Sequence, residues 1–131
     1  MDAKKIISQL RSLHPGKNIY VDDPENPNEV LCELEPASLN PERSVYIAVI
    51  DKRVEHYHRI ETKERFEVLR GELILQIAGR EHTINAGRSH TLAAGQVHAA
   101  EGHGTWFKVL STPAWKPTEH TLIEEPKNNP R

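Results

Sequence analysis

The amino-acid sequence predicts an all-β domain, a sandwich or barrel of many short strands, preceded by one short helix. Across residues 18–110, short apolar runs alternate with turn residues, and glycines such as Gly71 and Gly87 punctuate most of these runs. Short strands separated by regular turn signals are typical of all-β sandwiches and barrels. The pair His56 and His58, on one of the predicted strands, adds the main functional signal to this pattern.

The helix is predicted at residues 2–14. Asp2 can cap its start, and Pro15 follows its end. One apolar face recurs at helical spacing, formed by Ile6, Ile7, Leu10 and Leu13. A helix of this length is not stable alone, so its apolar face is expected to pack on the rest of the fold.

The division of the chain follows from its length and patterning. A chain of 131 residues is expected to form one domain with its own core. We therefore expect the N-terminal helix at residues 1–16 to dock on a single barrel domain at residues 17–122. Residues 123–131 are polar and contain prolines, so they are expected to be a frayed tail.

Candidate strands follow the apolar runs. They span residues 29–34, 44–50, 53–58, 65–69, 72–77, 81–84, 89–92, 97–101 and 105–110. Between two of them, Ala78-Gly79 is predicted to be a hairpin turn.

Composition excludes several classes of function. A net charge of −2 and an isoelectric point near 6.4 provide no general attraction to nucleic acid or anionic membrane. Cys32 is the sole cysteine, which rules out an intrachain disulfide and favours a reducing compartment. The first residues lack the apolar core of a signal peptide, and no apolar run approaches the roughly 20 residues that span a bilayer. We therefore expect a soluble, cytoplasmic protein with no nucleic-acid or membrane partner.

The histidine pair indicates a metal site. Residues two apart on a strand point to the same face, so His56 and His58 are expected to share one. Imidazole nitrogens, together with a carboxylate oxygen, suit a divalent transition metal. With 8 histidines in 131 residues, chance alone gives about 0.5 such pairs. The histidine pair alone therefore does not identify a metal site, and the surrounding sequence must supply further signals.

Those signals come from spacing. Glu64 precedes Gly71 by six intervening residues, and Gly95 precedes His98 by two. Together these spacings resemble the motifs of the cupin superfamily, G-x5-H-x-H-x(3,4)-E-x6-G and G-x5-P-x-G-x2-H-x3-N. The first motif is matched by His56, His58, Glu64 and Gly71, and the second by Gly87, Gly95 and His98.

The resemblance covers about residues 44–112 and implies a small single-domain cupin, one conserved barrel built as a double-stranded β-helix or jelly roll. It implies that His56, His58, Glu64 and His98 bind a metal inside that barrel. It also implies a homodimer, in which the strand at residues 29–34 could extend a partner's sheet.

Three residues depart from the family's motifs at positions for turns or packing. Ile50 stands in place of the first glycine, while Ala93 and Gly102 replace the proline and the asparagine of the second motif. Positions of this kind do not change the expected fold.

A fourth departure concerns the carboxylate ligand. Five residues separate His58 from Glu64, one more than in the family pattern, so Glu61 remains a rival ligand. We favour Glu64 because its step to Gly71 is intact.

The resemblance leaves the reaction open. Mn, Fe, Ni or Zn suit the ligand set, and four protein ligands leave room for water or substrate on an octahedral ion. A metal-dependent oxygenase or isomerase acting on a small organic substrate is one hypothesis. A non-enzymatic binding or sensing module for a sugar or small acid is another, and a scaffold with a structural metal is the third. Neither the substrate, the metal nor enzymatic activity is decided by the sequence.

Other residues carry weaker expectations. His90 shares strand parity with Leu92, so it could face the barrel, line a pocket or hydrogen-bond to a metal ligand, and it is the only candidate acid–base residue. A histidine packed in the core is the ordinary alternative. His120 falls in a predicted loop and is expected to be solvated. Phe66 and Val68 share the face of Glu64 and are expected to line the apolar part of the cavity.

Overall fold

The computed structural model describes the backbone of residues 1–59 and 62–125, and the side chains of residues 1–52 and 62–125. The helix, α1, spans Ala3–Leu13. The strands are β1 Asn18–Val21, β2 Glu29–Glu35, β3 Ser44–Arg59, β4 Lys63–Arg70, β5 Glu72–Ile77, β6 Arg80–Asn85, β7 Ser89–Leu92, β8 Val97–Thr112 and β9 Thr121–Ile123. The prediction of a mostly β chain with one short N-terminal helix is confirmed.

Helix α1 begins and ends as the sequence predicts. The Asp2 side chain accepts a hydrogen bond from the Lys5 backbone N–H at 3.1 Å, which satisfies one of the free donors of the first turn. The His14 backbone N–H donates to the Leu10 carbonyl at the other end. Leu10 is fully buried, in a cluster with residues of β1, β2, β3 and β8. The helix is therefore held by its apolar face on the outer side of the sheet.

The strands form one antiparallel sheet in the order β6-β5-β8-β3-β2-β1-β9, and β4 joins it by pairing with β7 and β8. Strand β8 organises this arrangement. One of its edges pairs with β3 along most of its length, and the other pairs first with β5 and then with β4. A second core cluster fills the interior with side chains from β2 to β8, among them Tyr46, Ile50, Phe66, Leu75 and Phe107.

Strands β3 and β8 are each longer than predicted. The sequence predicts a break near Asp51 and Lys52, and another near Gly102, but each strand continues for 16 residues. A register shift between Ile50 and Asp51 accommodates the change, with Lys52 at a φ of 64°. Residues that resemble a turn in the sequence thus form an irregularity inside a paired strand.

The hairpin turn at Ala78-Gly79 is confirmed. Ile77 pairs with Arg80, so the loop between β5 and β6 has two residues. Both have positive φ, 51° at Ala78 and 74° at Gly79, as a type I′ turn requires.

Strand β2 corrects one expectation about oligomerisation. It pairs with β1 on one edge and with β3 on the other. Since both edges are occupied within the chain, β2 cannot extend a partner's sheet, and that route to a homodimer is wrong. The homodimer itself stays a prediction.

The described residues form one helix, α1, and it is not long and apolar enough to cross a membrane.

Candidate ligand and metal site

The barrel encloses a cavity of about 420 Å³ that opens at one end. Its inner wall is apolar and comes from the core cluster, with Leu31, Tyr46, Ala48, Phe66 and Phe107 among its residues. Its polar residues lie in two groups. One group is Glu64 and His98 on the barrel strands, and the other forms a rim at the opening, described below.

Glu64 is positioned by β4, which runs between β7 and β8. Its Cα is paired with those of Leu92 and Ser111, which are both buried. Burial, and then the negative charge of Glu29, raises the pKa of Glu64 to about 7. No described side chain forms a hydrogen bond with the Glu64 carboxylate. A desolvated carboxylate of this kind is costly to ionise without a cation beside it.

His98 lies near the start of β8 and is 6% exposed. Its Nδ1 is 3.4 Å from the carbonyl oxygen of Gln96, and its ring centroid is 6.0 Å from that of Phe66. Phe66 in turn meets Phe107 edge to face at 5.6 Å. Residues far apart in the sequence, Glu64 and His98, thus line one cavity beside a packed aromatic wall.

The other predicted ligands are only partly covered by the structure. The backbone register pairs His58 with His98, and a register shift separates Val54 from His58, the stretch that contains His56. The side chains of both histidines, and all of Glu61, lie outside the described residues. Within the described side chains, no group of three histidines, cysteines or carboxylates is arranged to hold a metal. The four-ligand assignment stays a prediction.

The prediction that the residues sharing a face with Glu64 line the cavity is partly confirmed. Phe66 lines the cavity, whereas Val68 is buried in the core cluster and is not a lining residue. His90, for which lining a pocket was one alternative and packing in the core the ordinary one, does not line this cavity. Its ring lies 5.5 Å from that of His82. Burial, and then the charge of His82, lowers the pKa of His90.

The rim of the opening contains an ion pair that the sequence did not indicate. The His120 Nε2 lies 2.6 Å from a carboxylate oxygen of Glu29, and the two side chains are 11% and 17% exposed. The expectation that His120 is solvated is therefore wrong. The contact joins residues 91 positions apart, so no local pattern could have revealed it.

The C-terminal loop, residues 113–120, forms the remaining wall and is fixed to the barrel. The Trp115 backbone N–H donates to the Ser44 hydroxyl at 2.8 Å. The Trp115 ring meets Tyr46 at 5.3 Å and His120 at 5.8 Å, both edge to face. The loop is thereby held over the opening by both its backbone and its aromatic side chains.

Further negative charge surrounds this ion pair. Burial lowers the pKa of His120, but the hydrogen bond and charge of Glu29, followed by the charges of Asp22 and Glu119, outweigh burial and raise it. The carboxylate of Asp22 is itself fixed, because one oxygen accepts the backbone N–H groups of Asn28 and Glu29, each at 3.0 Å. The opening is therefore acidic.

No family model matches the chain, and no curated protein matches its sequence. Solved structures do match it. KdgF from Halomonas sp. is 13% identical with a TM-score of 0.61, covering 71% of this chain and 87% of that one. Ectoine synthase from P. lautus is 14% identical with a TM-score of 0.63, covering 82% and 85%. An RmlC-like cupin from Shewanella frigidimarina NCIMB 400 is 19% identical with a TM-score of 0.61, covering 70% and 81%. At these identities the likeness concerns the fold, and it confirms the barrel that the motifs imply.

Proposed function

We propose that this chain, which has the cupin fold, holds a divalent transition metal on His56, His58, Glu64 and His98 and acts on or binds a small organic ligand in its cavity. One observation carries the proposal. Glu64 and His98, which are 34 positions apart in the sequence, line the same cavity. The backbone pairing of His58 with His98 supports it, since directly opposite residues of an antiparallel pair lie on one face of the sheet.

The donor set fits a metal on chemical grounds. Glu64 is desolvated, and no described side chain donates a hydrogen bond to its carboxylate. A bound dication would stabilise the ionised form of that carboxylate and offset the cost of its burial. Oxygen and imidazole nitrogen donors together suit Mn, Fe, Ni or Zn. When bound, such a metal supplies Lewis acidity to a ligand that reaches an open coordination position.

The residues of this chain would orient the ligand. Phe66 and Phe107 provide an apolar wall for the ligand, while the ion pair of Glu29 and His120 presents polar groups at the opening. An open cavity of about 420 Å³ favours ligand binding over a purely structural role for the metal. The identity of the ligand, and whether it is converted to a product, will distinguish an enzyme such as an oxygenase or isomerase from a binding module.

Metal analysis tests the site. We expect wild-type protein, purified without added metal, to contain about one transition-metal ion per chain, as a single site of this kind would hold. His56→Ala combined with His98→Ala should lower that content at least roughly tenfold, because two of four ligands are lost. His103→Ala, which removes an exposed histidine of β8, is the matched control and should retain the metal. Equal metal in the double variant and the control, with both folded, would rule out the assignment.

The identity of the carboxylate ligand needs its own comparison. Glu64→Gln is expected to weaken metal binding by roughly tenfold or more, whereas Glu61→Gln should leave it within about twofold, because only Glu64 is a ligand in this assignment. Titrating chelator-treated protein with Mn²⁺ or Zn²⁺ by calorimetry measures both. The reverse order of effects would transfer the role to Glu61.

A further inference from the structure

Carboxylates outnumber basic groups among the charged side chains at the cavity opening. Asp22, Glu29 and Glu119 contribute carboxylates, and His120 is the basic group among them. Within the described lining residues there is no lysine and no arginine. A ligand that enters this opening therefore meets acidic groups before it reaches the inner wall.

Not all of this negative charge is compensated internally. His120 is paired with Glu29 at 2.6 Å, so the charge of that carboxylate is largely balanced when the imidazole is protonated. Asp22 and Glu119 form no ion pair with a described lysine or arginine. Since the raised pKa of His120 reflects their charges too, the potential at the rim favours a cation.

Two aromatic side chains that line the cavity add a second attraction. Trp115 and Tyr46 both line the cavity, and their rings meet at 5.3 Å. The face of an aromatic ring attracts an organic cation, and most strongly where water is excluded. Acidic groups together with Trp and Tyr rings are a combination suited to an ammonium group.

We infer that the cavity selects a small organic cation, whose ammonium group lies between the rim carboxylates of Asp22 and Glu119 and the ring of Trp115. The inference rests on the proposed function only in that the cavity is a ligand site. It does not depend on the metal. The excess of carboxylates makes an anion a weaker ligand than a cation of the same shape.

Probes matched in shape and different in charge test this selection. One set is choline, 3,3-dimethylbutan-1-ol and 3,3-dimethylbutanoate, and a second is cyclohexylamine, cyclohexanol and cyclohexanecarboxylate. With the protein as purified, dissociation constants from NMR titration should rank the cation tightest and the carboxylate weakest in at least one set. Failure of both cations to bind more tightly than their carboxylates, including failure to bind at all, would overturn the inference.

Charge removal at the rim provides the second readout. Asp22→Asn with Glu119→Gln should weaken the bound cation by roughly fivefold for each charge removed, from the Coulomb energy of nearby groups in a hydrated site. The asparagine retains an oxygen for the backbone N–H groups that Asp22 accepts. Glu25→Gln with Glu42→Gln changes the net charge equally at exposed positions away from the cavity and should leave the affinity unchanged. Equal weakening in both double variants would also count against the inference.

Metal content measured on the same samples separates the two proposals. Protein that retains its metal but shows no preference for the cation overturns the ligand class alone. Protein that prefers the cation but holds no metal at His56 and His98 overturns the metal site alone, and supports the selection by the rim.

Discussion

Metal-free protein is expected to lose about 3 kcal/mol of stability between pH 4.5 and pH 8 through Glu64 alone. The pKa of this carboxyl is raised from 4.5 to about 7 in the folded state, and each tenfold change in proton affinity corresponds to about 1.4 kcal/mol. A raised folded pKa means that the folded state binds the proton more tightly. Its contribution is therefore fully present below pH 4.5 and is lost as the pH rises through about 7.

Glu64→Gln should remove this dependence, because an amide does not ionise. The measurement is urea unfolding of both proteins in the presence of a chelator, from pH 4.5 to pH 8. As the pH rises over that range, the free energy of unfolding of Glu64→Gln should increase by about 3 kcal/mol relative to that of wild type. Glu42→Gln, at an exposed position, should show the same pH dependence as wild type. A constant difference between Glu64→Gln and wild type across the range would contradict the account of a desolvated carboxylate.

Gly102→Ala is expected to destabilise the fold by roughly 2–4 kcal/mol through overpacking. A Cβ at this position would lie 2.6 Å from the Thr105 hydroxyl oxygen and 2.9 Å from Cγ1 of Ile50. Neither neighbour can move freely, because both are buried and the Thr105 hydroxyl donates to the Glu72 carbonyl. Chemical denaturation measures the loss. Gly87→Ala, at a φ of 86° with open space around it, is the control for backbone strain alone and should cost about 1 kcal/mol.

The same contact joins two residues that depart from the cupin motifs. Ile50 replaces the first motif's glycine, and Gly102 replaces the second motif's asparagine. A Cβ at residue 102 would lie 2.9 Å from Cγ1 of Ile50, so the absence of a side chain at residue 102 leaves room for the larger one at residue 50. Gly102→Ala should accordingly cost about 1 kcal/mol less in an Ile50→Ala background, the size of coupling expected for residues in contact. Additive losses in this double-mutant cycle would show that Thr105 alone causes the clash.

Much of the fold could be predicted because its signals are local. Alternating apolar residues, turn glycines and the caps of α1 each act within a few positions. The continuity of β3 and β8 could not be predicted in this way, since Lys52 and Gly102 have the composition of turn residues. Only the pairing of the two strands with each other shows that these residues belong to one ladder.

The residues of the site likewise differ in whether a local sequence signal identifies them. Glu64 and His98 are recognisable because glycines at fixed spacing accompany them. His120 is not, because its partner Glu29 lies at the far end of the chain and only the folded arrangement joins them. Strand parity places His90 on the same face as Leu92, but parity does not decide which neighbour a side chain meets, and the His90 ring lies beside that of His82.

The C-terminal loop has a consequence for how such a protein can evolve. Residues 113–120 form the outer wall of the cavity, yet they belong to no strand of the barrel. Exchange of Trp115, Glu119 or His120 would therefore alter what the opening accepts without disturbing the strands that carry Glu64 and His98. Under the proposed function, changes in this single loop would alter the ligand while the strands that carry Glu64 and His98 stay the same.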